Sequence, residues 1–493
     1  MKNKKTLVGL PVDGRPVVRR QVQDLVAAAG WEMRMPEVAA LGHMREPAPR
    51  EALAAWLERE AADAAGVVVS IDMLVYGGLV PSRFIADELH ALLPRLALFR
   101  RLKQRQPRLP IYAFAATMRI SNNNVAEEEK PYWAEHGERL WAWSFHSDRH
   151  GQTGDAEAAR LAAAAEAAIP AEIRNDYLAT RARNFAVNEA LLDLVAEGVI
   201  ARLILPQDDT AEYGFNIAER RRLQQLVQER GLASRVLIYP GADEVMHTLA
   251  AHLVGRARED AAPLRIALSC SDPHHLQQLR ARYEDRPVLD SLASQLEAVG
   301  ARLVANNEPA DLLLALHSSG PAQGDWAMRL PLPAPQPLDT AWVEQLASTT
   351  LPLAVVDLAY ANGADPVLIE ALAARGLLPK LVGYAGWNTA SNSLGSLLAQ
   401  LVLAREALGD EANRLNTALR LAEDYLYQAR LRRALRERID EPALSADELA
   451  AEVRSNFVPA ADAWLRETGL PGRIARCYLP WDRTFEIGLE LQC

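Results

Sequence analysis

Little in this chain announces its chemistry, and each scarcity removes a class of function. Its 493 residues include three cysteines (Cys270, Cys477 and Cys493), which argues against a disulfide framework, and no pair has metal-ligand spacing. No stretch approaches the ~18 consecutive apolar residues of a membrane span. Only about five apolar residues precede Asp13, too few for a signal-peptide core, so a cytoplasmic location and no membrane partner are expected. Positive charge is not in excess either. The formal net charge of −10 disfavours nucleic acid as a partner, and the basic clusters Arg220–Arg222 and Arg430–Arg438 sit in Glu- and Leu-rich helical patterns, as solvated faces do. The nearest glycine-rich run after a strand, YGGLVPS, fits neither a P-loop nor a dinucleotide fingerprint, and no G-x-S-x-G or H-E-x-x-H occurs. Of the ten histidines, none falls at the six strand ends described next. Hydride transfer, serine hydrolysis and zincin chemistry all lose support.

What the chain does have is six apolar runs that each end in a charged or polar cluster. They are TLVGLPVD to Asp13, GVVVSID to Asp72, LPIYAFAATMR to Arg119, ARLILPQDD to Asp208 and Asp209, RVLIYPGADE to Asp243 and Glu244, and KLVGYAGWN to Asn388. Continuous apolar runs separated by helical stretches predict βαβ units with buried parallel strands. The expected fold is α/β: a TIM-like (β/α) barrel or a large, mostly parallel sheet, with an inserted α/β segment and a helical C-terminal region. Residues 1–260 read as an α/β core, interrupted over 121–180 by an aromatic-rich insertion that is either a lid or a small satellite core. Residues 261–395 (LRIALSC, ARLVANN, DLLLALHSS, LPLAVVDLAY) read as a second α/β segment completing that core, with the Pro-rich connector LPLPAPQPLD inside it. Residues 396–493 read as helical, with a cap-like SADE at Ser445 and a terminal edge strand.

Ligands of α/β folds bind at the carboxyl ends of the strands, so carboxylates collected there suggest one pocket with acid chemistry. Asp208 and Asp209 are adjacent, and neighbouring residues of an extended chain face opposite ways. They can share a pocket only if the backbone turns between them. Crowding would then push their pKa values apart, one keeping its proton; the alternative is that one caps the next helix and the other is solvated. Around this catalytic pair the substrate-binding candidates are Asp13 and Arg15 in PVDGRP, Asp72 and Tyr76 in IDMLVYGGLVPSR before Arg83, Arg119, Asp243 and Glu244, and Trp387 with Asn388. Each acid could instead hold a loop by an ion pair, and Asp243-Glu244 could serve a helix N-terminus. A Trp face beside neutral hydrogen-bonding groups suits a sugar ring.

The motifs PVDGRPV, SIDMLVYGGLVPSR, QDDTAEYGFN, YPGADEV and GYAGWNTASNSLG together resemble the bacterial family known as domain of unknown function 4127. An Asp-Asp pair at a strand end, followed by Trp and Asn on later strands, is also similar to retaining β-N-acetylglucosaminidases of the O-GlcNAcase and hyaluronidase type. That second resemblance implies a substrate acetamido group acting as nucleophile, oriented by Asp208, with Asp209 as general acid and then base and Asn388 holding sugar hydroxyls. The leading expectation is a glycoside hydrolase acting on a small sugar without a cofactor, a homo-oligomer being compatible with the sequence. The alternatives are a hydrolase or lyase holding Mg²⁺ or Mn²⁺ on these carboxylates and a sugar-binding protein without activity.

Overall fold

Thr6–Leu10 (β1), Gly66–Ser70 (β3) and Ile111–Phe114 (β4) are buried at every residue, which only a strand covered on both faces achieves. With Glu32–Arg34 (β2), Arg202–Gln207 (β5) and Val236–Pro240 (β6) they form one parallel sheet in the order β2-β1-β3-β4-β5-β6. The computed structural model describes residues 4–258, 262–305, 308–318, 320–328, 332–334 and 337–493. Among them β2 and β6 take no further partner, so the sheet is open: the parallel-sheet alternative is the one observed, and no barrel closes. Parts of ARLVANN (306–307) and of the Pro-rich connector (330–331 and 335–336) lie outside the described residues.

The core of this sheet joins Val67, Val69, Ile111 and Leu203 to Leu53 and Leu57 of the helix Arg50–Glu60, Phe99 and Leu102 of Ala97–Arg105, and Leu191 and Val195 of Ala171–Ala196. Each such fully buried Val, Leu or Phe contributes roughly 1.5–3 kcal/mol over its exposed state. The 121–180 insertion builds a satellite core of its own, in which Trp133 meets Tyr177 (centroids 5.7 Å apart) and Trp143 meets Phe215 edge-on at 4.9 Å.

A second parallel sheet is built from Leu264–Cys270 (β7), Ala301–Leu303 (β8), Leu312–His317 (β9), Leu353–Asp357 (β11) and Leu381–Ala385 (β13), in the order β13-β11-β9-β7-β8. Short pairings of Gly324–Asp325 (β10) with Tyr360–Ala361 (β12), and of Arg473–Tyr478 (β14) with Gly488–Gln492 (β15), complete the strands. The terminal edge strand expected in the tail is thus half of an antiparallel hairpin. The helix Ala446–Thr468 starts on a full capping box, Ser445 with Glu448, as SADE suggests.

The chain divides into two compact units. The first comprises residues 1–14, 32–246 and 283–285 and holds the first sheet; the second comprises 15–31, 247–282 and 286–493. The second therefore contains both the second sheet and the C-terminal helices, as well as the early helix Arg20–Ala28, which is tied in by Gln21 Nε2 donating to Glu423 at 3.1 Å.

Both sheets have a topological switch point, where the chain leaves a central strand first to one side and then to the other. It lies between β1 and β3 in the first sheet and between β7 and β9 in the second. Crevices for ligands open at the carboxyl ends of such strands.

Candidate functional site

In the first unit the carboxyl edge opens around a turn that the sequence does not advertise. β3 ends at Ser70, and the chain enters a single wide π-type turn over Asp72–Tyr76. Ser70 Oγ accepts from the Met73 N–H at 3.2 Å and Gly77, at φ 87°, ends the turn. A side chain at Gly77 would be strained and would also lie 2.9 Å from the Ala48 nitrogen, so glycine is required there. The turn drives Asp72 inward: it is 2 % exposed, and its Oδ2 accepts from the Ala116 N–H at 2.9 Å beyond the end of β4. Burial pushes its carboxyl up to about 7, the Ala116 hydrogen bond pulling the other way and Asp208 adding to the rise.

β5 stops at Gln207, and Asp209 takes a left-handed φ of 36°. This supplies the backbone turn that lets two consecutive acids serve one place. Asp208 Oδ2 accepts from Arg83 at 2.8 Å, and Asp209 Oδ2 accepts from Arg119 at 3.3 Å. The two guanidiniums are bridged from the far side by the lead-in to the insertion. Arg83 reaches Glu128 at 3.1 Å and Glu129 at 3.4 Å, and Arg119 reaches the same two at 3.2 and 2.9 Å. Arg45 holds that lead-in by donating to the carbonyls of Ala126, Glu127 and Glu129, the last at 2.7 Å. Arg181, paired with Glu219 at 2.7 Å, donates to the Met118 carbonyl at 2.9 Å and fixes the backbone beside Arg119.

Four carboxyls therefore pair with two guanidiniums, and Asp72 lies within electrostatic reach of Arg83 and Asp208. Burial, then the neighbouring Asp208, hold the Asp209 carboxyl above the ordinary range, against the pull of Arg119 and Arg83. Exposure rises from 2 % of the Arg83 side chain to 24 % of Asp209, so Asp209 is the least covered member of the network while most of its surface stays buried. An acid that tends to keep its proton thus stands at the least covered end of the cluster.

The other expected residues divide as follows. Asp13 follows β1 and is buried at the same sheet edge, where the Val12 carbonyl accepts from the Leu79 N–H at 3.3 Å. Asp243 and Glu244 are buried beyond β6, ahead of the helix Val245–Arg256. Glu244 Oε2 accepts from the Ala242 N–H at 2.9 Å and fills the space a side chain at Gly241 would need, so this acid serves its own turn. Tyr76 lies in the hydrophobic core with its hydroxyl buried and unpartnered, under the Arg183 guanidinium.

Arg15, Trp387 and Asn388 belong to the second unit. Arg15 stacks on Trp481 at 4.5 Å and lies 3.7 Å from Glu486. Trp387 is buried against Phe485, and Asn388, at φ 70°, gives its carbonyl to the Asn362 N–H. Among the described residues no group of three or more His, Cys, Asp or Glu side chains is arranged to hold a metal ion, and no helix is long and apolar enough to cross a membrane.

Sequence reasoning passed over Glu128 and Glu129, inside NNNVAEEEKP, and gave Arg83 no role. The available signal was Arg83 itself, a cation closing the glycine-bearing segment that Asp72 opens.

A comparison with curated proteins gives no match. The family model described as "Protein of unknown function (DUF4127)" matches residues 7–490, nearly the whole chain and both compact units. On that match the chain belongs to the DUF4127 family.

Proposed function

We propose that the carboxyl edge of the first sheet is an acid–base active site that hydrolyses a small glycoside, an N-acetylhexosaminide being the substrate to try first. One observation carries the reading: two consecutive carboxyls at one strand end are held by different guanidiniums, and the more accessible of them, Asp209, is biased to keep its proton. Glycoside hydrolysis needs a carboxylic acid to protonate the departing oxygen and a second group on the sugar's other side, either a carboxylate or the substrate's own acetamido oxygen. Asp209 fits the first role. Asp208, oriented by Arg83, would steady the acetamido group as it attacks the anomeric carbon. After the alcohol leaves, Asp209 would take a proton from water as that water opens the cyclised intermediate.

The test is a panel of aryl glycosides, nitrophenyl N-acetyl-β-hexosaminides foremost, assayed on wild type, Asp208→Asn and Asp209→Asn. Wild type should turn over, and each variant should lose about 10²–10⁴-fold. Equal turnover in all three proteins would remove the pair from the mechanism. Binding of sugar with no product from any member of the panel would favour a carbohydrate receptor instead.

A further inference from the structure

The second sheet has its own constellation, at its own switch point. β7 ends at Cys270, so Ser271 stands at its carboxyl end, where its N–H donates to the Leu316 carbonyl of β9. The last residue of β9 is His317. Ser271 Oγ lies 3.0 Å from His317 Nδ1, and His317 Nε2 lies 2.9 Å from Asp365 Oδ2. Asp365 is fixed from two sides: its Oδ1 caps the helix Pro366–Ala374 through the Val367 N–H at 2.9 Å, and its own N–H donates to Asp357 Oδ2 at 2.6 Å. Asp357 in turn accepts from the Tyr384 hydroxyl at 3.1 Å. The imidazole stacks on Trp342, whose indole N–H donates to Ser269 Oγ at 2.9 Å.

These contacts give each member a role. A carboxylate accepting from Nε2–H leaves Nδ1 as the acceptor facing the serine. The Ser271 proton has a second acceptor in the Ser318 carbonyl at 3.2 Å, but the imidazole is nearer, and the Ser318 N–H at 3.1 Å donates to the oxygen itself. His317 and Asp365 are 3 % and 5 % exposed, whereas Ser271 is half-buried. A reachable hydroxyl is thus backed by a buried base, and the base by a buried carboxylate. Nucleophile, base and orienting group in this order are recognised by geometry rather than by sequence motif; here the two ring nitrogens exchange places relative to the serine proteases.

We infer that Ser271, His317 and Asp365 form a second active site, which hydrolyses small carboxylic esters by acyl transfer through Ser271. Ser271 Oγ attacks the acyl carbon while its proton passes to His317 Nδ1. The bond from the acyl carbon to the alkoxy oxygen breaks, and the departing alcohol takes that proton. Water then attacks the acyl-serine, giving one proton to Nδ1. The acid leaves as Ser271 regains its proton, so no oxidant, reductant or metal is consumed. Asp365 is a positioning residue that touches neither substrate nor water.

The full-length chain, treated with a fluorophosphonate and assayed with p-nitrophenyl acetate, tests this. One equivalent of label is expected on the peptide containing Ser271. Ser271→Ala, its folding checked against wild type by thermal melting, should lose the label and at least about a hundredfold in kcat/KM. Asp365→Asn retains a cap for its helix and should lower kcat at least about tenfold with KM unchanged, a split that mere loosening of the site would not give. A wild-type chain that takes no label at Ser271, or an alanine variant that hydrolyses the ester at the wild-type rate, overturns the assignment.

Discussion

At the carboxyl edge of β1–β6 the polar groups are charged and crowded, four acids paired with two arginines, drawn from four stretches of chain, with Asp72 in electrostatic reach. At the corresponding edge of the second sheet they run in single file, hydroxyl to imidazole to carboxylate, each fixed by the next. The two sheets share a winding, with the chain stepping to one side of a central strand and then building outward on the other. The winding supplies a crevice, and the residues placed at the strand ends decide its chemistry. What separates the edges energetically is ion pairing, since the first is knit by carboxylate–guanidinium pairs and the second by single hydrogen bonds. A network of ion pairs is costly to break because each partner left behind is a buried ion, whereas a chain of single contacts loses little more than one hydrogen bond at a time.

That contrast can be broken by substitution. Arg83→Met keeps much of the side-chain volume but takes the guanidinium from Asp208 and leaves Glu128 and Glu129 to share Arg119. It should cost about 3–5 kcal/mol in urea denaturation at neutral pH, with Arg83→Lys falling between it and wild type because an ammonium keeps the charge without the fork. A loss below about 1 kcal/mol for Arg83→Met would mean the network is not desolvated.

A pH series sharpens the same point. The Asp72 carboxyl is raised to about 7 by burial, so between the ordinary carboxylate range and that value the folded chain holds a proton the unfolded chain has released. Stability should therefore fall as pH climbs from about 4 to about 7. Asp72→Asn, whose amide oxygen can still accept from Ala116, should lack this component. Near pH 4 the two proteins should differ least, and above pH 7 the variant should gain on wild type by up to about 4 kcal/mol. Parallel stability curves would contradict the buried, proton-holding state of Asp72.

The smallest effect belongs to the second edge. Asp365→Ala removes a helix cap and the partner of His317, and thermal denaturation should register a loss of about 1–2 kcal/mol. A cost equal to that of Arg83→Met would erase the distinction between the two edges.

The strands were legible because continuous apolar runs have few other uses. All six runs that end in a polar cluster contain strands, and LRIALSC, ARLVANN, DLLLALHSS and LPLAVVDLAY supply four more. The division of those strands between two sheets was not legible, since five of the six runs lie in the first and KLVGYAGWN in the second. Periodicity reports burial, not partners. For that reason Trp387 and Asn388, grouped by sequence with the acid pair, belong to the other unit.

The acids at the first edge could be read from their place after strands, but their partners could not. Arg83 meets Asp208 across 125 residues and Glu129 across 46, and Glu128-Glu129 in an EEEK run look like any solvated loop. His317 escaped notice for a simpler reason. Its apolar run, DLLLAL, leads in the sequence to a neutral His rather than an acid, and Asp365, the group that gives the imidazole its orientation, is 48 residues further on.

The sharpest test of the carboxyl pair is the dependence of kcat/KM on leaving-group basicity for a series of aryl N-acetyl-β-hexosaminides, compared between wild type and Asp209→Asn. If Asp209 protonates the departing oxygen, wild type should show a shallow dependence and the variant a steep one, the loss approaching about 10⁴-fold for the most basic phenols and shrinking for the most acidic. Two parallel lines, or a wild-type chain that cleaves no member of the series, would contradict the account.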